Sequence, residues 1–453
     1  MEKFDVIVVG AGTAGCLAAK TTAEAGLRVC LVERKSEEEI GEKICGDALG
    51  EHHFETVELE KPSGRELEKR IEGIQIYSPD LETEFTIEYR DYVGYMLNRR
   101  LFGQWLLKKA LDEGVTLWDS TRCLGPTIKD DFVTGIEVKD NSEAKKVSLE
   151  GDVVLDASGF LGVVRRRLPS EMQIETGVAN RDVEACYREV RQIQEELEQS
   201  EYCKIYLNQE VTPGGYTWVF PKGGAKVNAG LGVCMQEGFP NPKIQFYEHV
   251  LTKPLFEGSL LLNSGAWYDP TRRPLDNMVG NGVAILGDAA CLVNPIHGGG
   301  IGPSMLSGYL AGNTVVEALE NGTADQDSLW PYNQEYMESY GAKQAKLDVF
   351  RILLLNTEDE DLNYGMKHRL LTEEDVLKAG LGEEFHLNVT ETAKRVFRGI
   401  RRLPFLNRLR HTIKIMNEVQ NHYAKYPETP QNLPEWKTET ENLFQEARTT
   451  LSE

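Results

Sequence analysis

Residues 4–15 read Phe4-Asp5-Val6-Ile7-Val8-Val9-Gly10-Ala11-Gly12-Thr13-Ala14-Gly15. A short apolar run rich in β-branched residues predicts a buried parallel strand. G-x-G-x-x-G follows at once, and Cys16 to Glu24 reads as a helix behind it. Gly10 permits the tight turn, Gly12 lets the backbone approach a pyrophosphate, and Gly15 lets helix and strand pack closely. The helix N-terminus offers unpaired N–H groups and a positive dipole end to the anion. A second strand, Arg28-Val29-Cys30-Leu31-Val32, ends at Glu33, about twenty residues on, where a ribose 2′-OH needs an acceptor. Strand, turn, helix, strand and acid in this order predict a dinucleotide site, and Glu33 favours FAD or NAD over NADP. No targeting segment is expected ahead of a motif this near residue 1.

A chain of 453 residues has room for two or three domains with substantial cores. No run approaches the length of a membrane-spanning helix. The net charge of −22 argues against a nucleic-acid partner, because phosphate affinity comes from Lys and Arg. The cysteines at 16, 30, 45, 123, 186, 203, 234 and 291 form no C-x-x-C pair, so no iron–sulfur, zinc or other metal site is expected. Their scattered spacing suits buried thiols in a reducing, cytoplasmic compartment.

Working outward from the first motif, Lys43-Ile44-Cys45-Gly46-Asp47-Ala48 is a small, thiol-bearing turn. His52 and His53 are adjacent, so they point apart and make a poor chelating pair. Gly73–Tyr77 and Glu84–Tyr89 alternate apolar with polar around Ser78-Pro79-Asp80-Leu81 and predict a hairpin. Residues 95–100 lead into a helix carrying Leu101, Trp105, Leu106 and Leu111, which Gly114 ends. Val115–Trp118 reads as a further nucleotide-sheet strand, followed by a meander through residues 132–138 and 146–149. A buried strand from Gly151 ends in Asp156-Ala157-Ser158-Gly159, a turn small enough to pass close to a dinucleotide. Arg165, Arg166 and Arg167 form either a basic cluster or a solvated helix start.

Residues 184–202 read as helical or irregular, and strands then dominate at 204–207, 214–221 and 227–233. Tyr216, Trp218 and Phe220 alternate and share one strand face, as an apolar wall or as ordinary sheet core. Val283–Ala290 is another buried strand, ending in Gly287-Asp288. Asn294–Gly302 is Gly-rich and opens a small-residue helix over 304–319, a second anion-friendly helix end. Beyond residue 330 the pattern is helical, with breaks near Pro404 and between Pro427 and Pro434. Lys394–Lys414 contains no acid. It suits a phosphate head group or an anionic membrane surface, or else a helix pair whose bases meet acidic neighbours.

The expected fold class is α/β. A discontinuous Rossmann-type FAD-binding domain spans 1–75, 95–170 and 275–330. An inserted, mainly antiparallel β-sheet substrate domain spans 76–94 and 171–274, and a helical C-terminal region spans 331–453.

Over roughly residues 1–320 the chain resembles the flavin-dependent group built like para-hydroxybenzoate hydroxylase. The marks are the glycine motif at 10–15, Glu33-Arg34, Arg99 at a helix start, Asp-Ala-Ser-Gly at 156–159 and Gly-Asp-Ala-Ala at 287–290. Within that group it looks most like the archaeal geranylgeranyl reductases, through Ile-Cys-Gly-Asp-Ala at 44–48, Pro-Gly-Gly-Tyr-Thr-Trp-Val-Phe-Pro at 213–221 and Asn-Pro-Ile-His-Gly-Gly-Gly-Ile at 294–301. Asp-Ala after Cys45-Gly46 departs from the Glu-Gly of other members. The resemblance implies FAD, with its nucleotide end on Gly10, Gly12, Ala14, Gly15, Glu33, Arg34 and Cys123. It places Arg99, Asp156, Gly159 and Asp288 along the cofactor, and Cys45, Gly46, Ala48, Gly299, Gly300 and Ile301 about the flavin. Tyr216, Trp218, Phe220 and His297 would line a prenyl channel.

The activity so implied is saturation of C=C bonds of geranylgeranyl chains, in archaeal-type membrane lipids or their diphosphate precursors. It uses hydride from reduced flavin plus a proton. An isolated trisubstituted alkene has no carbonyl to accept charge, so proton addition comes first or together with hydride. The faces of Tyr216 and Trp218 would favour a developing cation. Cys45, Tyr216 and Trp218 are the catalytic candidates. The proton donor stays open among Cys45, a flavin-held water, Tyr216 and His297. Electrons would come from an external donor, NAD(P)H or a ferredoxin-like protein, and the enzyme would contact the membrane peripherally. The alternatives are an aromatic or polyprenyl monooxygenase on the same scaffold and a non-catalytic flavin electron carrier. A halogenase is disfavoured, because Tyr-Thr-Trp-Val-Phe-Pro stands where those enzymes have W-x-W-x-I-P.

Overall fold

Val6, Ile7, Val8 and Val9 are buried, so β1 (Glu2–Val9) lies with both faces covered, as its β-branched run predicts. Helix α1 (Thr13–Glu24) starts inside the glycine motif. Gly10 takes φ +104°, and a Cβ there would lie 2.5 Å from the Ala157 carbonyl oxygen. A Cβ on Gly15 would lie 1.9 Å from the Gly10 oxygen, so the turn closes only around glycines. Strand β2 (Val29–Val32) pairs in parallel with β1, and β3 (Thr116–Trp118) with β2. The expected short strands at 146–149 and 151–155 are one long strand, β4 (Lys146–Asp156), parallel to β1 on its other side. Val283–Ile285 lies beyond it, and the antiparallel pair Thr121–Lys129 and Phe132–Asp140 extends from β4. The structure, a computed structural model, describes residues 2–88, 93–140, 145–370, 372–375 and 402–451.

A second, seven-stranded sheet is built on β5 (Glu184–Gln192), β6 (Thr217–Pro221), β7 (Lys226–Cys234) and β8 (Leu260–Asp269). Its order is β8-β5-β7-β6, then Tyr202–Tyr206 and the predicted hairpin Gly73–Tyr77/Glu84–Glu88. The expected boundary at residue 75/76 therefore falls inside a strand of this sheet. Strand β5 corrects the expectation of a helical or irregular 184–202. Its alternation is masked by buried charge: Glu189 is fully buried, and it accepts from the Tyr187 hydroxyl and pairs with Arg191. A third sheet joins Ala48–Gly50, Leu67–Ile71 and Gly94–Leu97, so residues 94–97 are strand before the helix Arg99–Asp112 begins at an Asn98 cap.

Helix α2 (Ile301–Glu320) lies against α1, where a Cβ on Gly308 would be 2.3 Å from the Ala14 oxygen. Helices Gln326–Tyr336, α3 (Ala342–Leu355), Leu403–Tyr423 and Leu433–Leu451 share the core of the nucleotide sheet. Trp330 donates to the Pro427 oxygen, which ties the last helical pair to that core. Of the expected basic segment, Lys394–Arg401 lies outside the described residues. In the part described, Arg402 and Arg408 both pair with Asp361, and Lys414 faces Glu418 and Glu446. These bases meet acidic neighbours. Arg165 is not solvated as a helix start would be; it is fully buried and donates to the Glu175 oxygen.

Candidate active site

The end of α1 is open. No side chain caps it, and among the described residues nothing lies within 4 Å of a Cβ built on Gly12. Glu33, at the end of β2, accepts from Ala11 N at 2.9 Å and Lys35 N at 3.1 Å, which fixes its carboxylate beside the glycine turn. Thr121 N donates to the Glu33 oxygen, so Cys123 stands close by on the next strand. Burial pushes the Cys123 thiol up to about 12, which leaves its side chain inert. Arg34 reaches across to the second sheet and lies over the Trp267 ring.

Arg99 is buried and donates to Thr13 Oγ1 at 2.7 Å, in the first turn of α1. Its Nε has no hydrogen-bond partner among the described residues. Asp156 is differently occupied: it accepts from Ser158 N and Oγ, Val164 N and Arg165 N, and so shapes the turn that contains Gly159. Asp288 pairs with Lys43 at 2.7 Å and stands 3.3 Å from a Cβ built on Gly300, the uncapped N-terminus of α2. Burial opposes charge on Lys43, but Asp288 and Asp269 outweigh it and raise its pKa. An open glycine turn, an acid on its rim, an orphaned guanidinium nitrogen and two uncapped helix ends suit a dinucleotide that runs from Glu33 past α1 to α2.

Register places a second set of residues on one face of the seven-stranded sheet. Trp218, Gly230, Arg188 and Gly265 lie opposite one another across β6, β7, β5 and β8. One step along come Gly232, Cys186 and Trp267, and then Glu184 opposite Asp269. A Cβ on Gly230 would lie 2.4 Å from the Trp218 ring and 2.6 Å from Arg188 Cβ. The two glycines thus make a trough between an aromatic row and a polar row. Tyr216, Trp218 and Phe220 follow one another with ring centroids 6.1 and 6.3 Å apart.

Three separated segments meet over this row. Tyr216 donates its hydroxyl to the His297 oxygen at 2.7 Å. Trp218 donates to Asn228, which in turn donates to the Cys45 oxygen at 2.8 Å and to Asp47 at 3.0 Å. A Cβ on Gly46 would touch the Phe220 ring at 3.1 Å, and Ala48 packs into the same cluster. Under the loop, Lys222 Nζ bonds Asp47, Glu68 and the Leu97 oxygen, each at 2.7 Å. Sequence reading missed Lys222, since nothing in one chain's spacing links it to residue 47.

Burial, with Asp47 adding to it, raises the Cys45 pKa, and burial raises that of Tyr216 further. Burial lowers His297 to about 4. The His297 side chain is nonetheless exposed. Two acids here escaped the sequence reading because their strands were misread or unrecognised. Burial raises Glu184 to about 8, with Arg351 opposing and Asp269 adding, and raises Asp269 to about 6 against Lys43. The Cys186 thiol stands 3.7 Å from Asp269.

Over 452 residues the chain is 39% identical to a digeranylgeranylglycerophospholipid reductase of Sulfolobus acidocaldarius, covering 99% of each protein. The chain belongs to the digeranylgeranylglycerophospholipid reductase family. A second member, from Methanothrix thermoacetophila, is 31% identical over 84% of this chain and 94% of its own length. The model of the geranylgeranyl reductase catalytic domain matches residues 182–264, which carry the trough, and the FAD dependent oxidoreductase model matches residues 5–165. A geranylgeranyl bacteriochlorophyll reductase-like protein of Thermoplasma acidophilum superposes with a TM-score of 0.75 at 24% identity, over 92% of this chain and all of that one. A flavin-dependent brominase superposes at 0.64 and 17% identity, over 84% and 94% of the two chains. These two likenesses carry the fold alone. As a member of the digeranylgeranylglycerophospholipid reductase family, the chain is an FAD-dependent oxidoreductase with the Rossmann-type α/β fold and helical C-terminal region expected of it.

Proposed function

We propose that this enzyme saturates double bonds in the geranylgeranyl chains of glycerol-based phospholipids, the substrates for which its relatives are named. The observation that supports this most is the meeting of the Tyr216–Phe220 row with the Cys45 loop and the loop before α2, in a chain alignable end to end with those reductases.

Bound FAD supplies the hydride. Thr13, Arg99 and Glu33 hold the nucleotide portion, and Lys43 with Asp288 orients the part nearest α2. Trp218, Phe220 and Tyr216 form the apolar wall that takes up the prenyl chain and excludes water. The wall's π faces favour positive charge on the tertiary carbon by about 1–2 kcal/mol when desolvated. The proton comes from the Cys45 thiol, which its raised pKa keeps protonated, from the Tyr216 hydroxyl, which donates to the His297 oxygen at rest, from His297 or from a flavin-held water. Electrons reach the enzyme from NAD(P)H or a ferredoxin-like protein. No helix among the described residues is long and apolar enough to cross a membrane. Contact with the bilayer is peripheral, and the exposed run Leu260, Leu261 and Leu262 on the edge strand offers it an apolar surface.

The test is anaerobic. Protein reduced with dithionite is mixed with digeranylgeranylglyceryl phosphate, and products are followed by mass. Addition of two hydrogens per double bond with flavin reoxidation is the expected result. Reoxidation only by oxygen, with a hydroxylated product, would mean a monooxygenase. Reoxidation only by quinones or proteins would mean an electron carrier.

A further inference from the structure

The polar row of the trough ends in two acids to which the reaction described so far gives no part. Glu184 on β5 and Asp269 on β8 lie directly opposite each other, which puts their Cβ atoms about 5 Å apart. Glu184 reaches over the trough: its Oε2 lies 3.0 Å from a Cβ built on Gly232, and Cys186 Sγ lies 3.4 Å from the same point. Gly232 N donates to the Tyr216 oxygen at 3.1 Å. One glycine therefore separates the acid from the aromatic row at Tyr216. Burial raises the Tyr216 hydroxyl most, and Glu184, Cys186, Asp269 and Cys45 add to that rise, so all four stand near the candidate proton donors.

Glu184 is 9% exposed, and among the described residues neither of its oxygens takes part in a hydrogen bond or an ion pair. The cation facing it is Arg351 of α3, which is committed to Asp348 and Asp182 at 2.8 and 2.9 Å. Opposite Glu184 on β7 is Cys234, whose thiol burial pushes up to about 11. On β5 itself burial also raises the Cys186 thiol, which stands 3.7 Å from Asp269. Beyond Asp269 lie Lys43 and Asp288, paired with each other. A buried carboxylate without a donor is costly, and a second one opposite makes it costlier. Burial, with Asp269 adding to it, thus keeps the Glu184 proton up to about 8, and burial keeps that of Asp269 up to about 6. Two adjoining acids whose proton affinities bracket neutral pH can take a proton from water and release it again.

We propose that Glu184 reloads the proton donor of the trough after each double bond is saturated, and that Asp269 reloads Glu184. The inference rests on the reductase reading. Saturation of one C=C breaks its π bond and forms two C–H bonds. Reduced flavin gives up the hydride and is oxidised, the alkene is reduced, and the donor in the trough gives up a proton. The Glu184 O–H replaces that proton and leaves a carboxylate, which recovers its own from water by way of Asp269. Every further double bond draws on the same supply.

The test uses holoenzyme of the parent, Glu184→Gln and Glu184→Asp, with dithionite in excess, oxygen excluded and digeranylgeranylglyceryl phosphate as substrate. Flavin absorbance checks that each variant is folded. Rapid mixing and product mass separate saturation of the first double bond from that of later ones. Glu184→Gln should slow the later steps about a hundredfold, the low end for acid–base catalysis, and the first step far less. Glu184→Asp, which keeps a carboxyl, should restore most of the loss. In the parent the later steps should slow as pH rises past about 8, where Glu184 loses its proton, and Glu184→Gln should lack that break. Equal slowing of first and later steps by Glu184→Gln overturns the proposal, as does a variant with the parent's rates and pH profile. Infrared spectra of the substrate-free holoenzyme should show the carbonyl band of a protonated carboxyl, absent from Glu184→Gln and lost from the parent above about 8. Identical bands in the two proteins overturn the proposal as well. A parent that shows the band and saturates no prenyl chain would instead overturn the reductase reading on which the proposal rests.

Discussion

Replacing Lys222 by methionine tests whether the polar knot beneath the Cys45 loop holds that loop in place. The Lys222 and Asp47 side chains are 5% and 3% exposed, and Glu68 is 11% exposed. Burial alone would strip Lys222 of its proton, but Asp47 and Glu68 outweigh it and raise its pKa above the ordinary lysine value. Its contribution is therefore complete at neutral pH and fades only as pH rises past that value. Removing one partner of a buried pair costs about 3–5 kcal/mol. Glu68 keeps Lys226 at 2.5 Å, so the loss falls mainly on Asp47, whose Oδ1 already lacks a partner. We expect about 3 kcal/mol, the low end of that range. Asp47→Asn removes the stranded charge and tolerates the φ of +68° at that position. The double variant should therefore be less destabilised than the sum of the two singles by about 1.5 kcal/mol or more. The assay is urea unfolding followed in parallel by circular dichroism and flavin fluorescence, with free energies compared only where the two transitions coincide. A loss below about 1 kcal/mol for Lys222→Met, or strict additivity, would refute the reasoning.

Gly15→Ala would drive a methyl against the Gly10 carbonyl, and the variant should purify with FAD depleted, as its absorbance ratio would reveal. Glu184→Gln bears on pH. Between the ordinary value of 4.5 and about 8 the folded chain holds a proton that the unfolded chain has released, so stability falls as pH rises across that window. The glutamine variant should lose this slope, gaining on the parent by up to about 1.4 kcal/mol per unit of displacement, and parallel pH profiles would contradict it. Cys45→Ser should keep FAD and lose turnover by about a hundredfold or more if the thiol donates the proton, and unchanged turnover would end that role.

The nucleotide half was legible because its signals are local. The glycine motif, Glu33 and the β-branched strands lie within a few turns of chain, and each needs only itself to be read. What stayed hidden depended on partners far away. Strand β5 looked polar because Arg188 and Glu189 are buried with partners on its own or neighbouring strands, which no periodicity reveals. Lys43 meets Asp288 across almost the whole nucleotide domain, and Lys222 meets Asp47 across two sheets. The alternation of Tyr216, Trp218 and Phe220 gave a shared face, but only the register beside Gly230 and Gly232 makes that face a trough. Asp156 was expected along the cofactor as a strand-end acid; that its four donors also fold the turn around it could not be read from the sequence.

The Trp218 ring rests on Gly230, a position with no side chain, in the strand next to its own. The bore of the proposed prenyl passage would thus be set from underneath. A single methyl at residue 230 would meet the indole at 2.4 Å, Arg188 Cβ at 2.6 Å and the Tyr187 carbonyl oxygen at 2.7 Å, and so would shift both rows of the trough without changing the identity of any residue in them. Substrate girth in such an enzyme would then depend on a buried position that never touches the substrate, so two relatives with the same lining residues can still differ in diet.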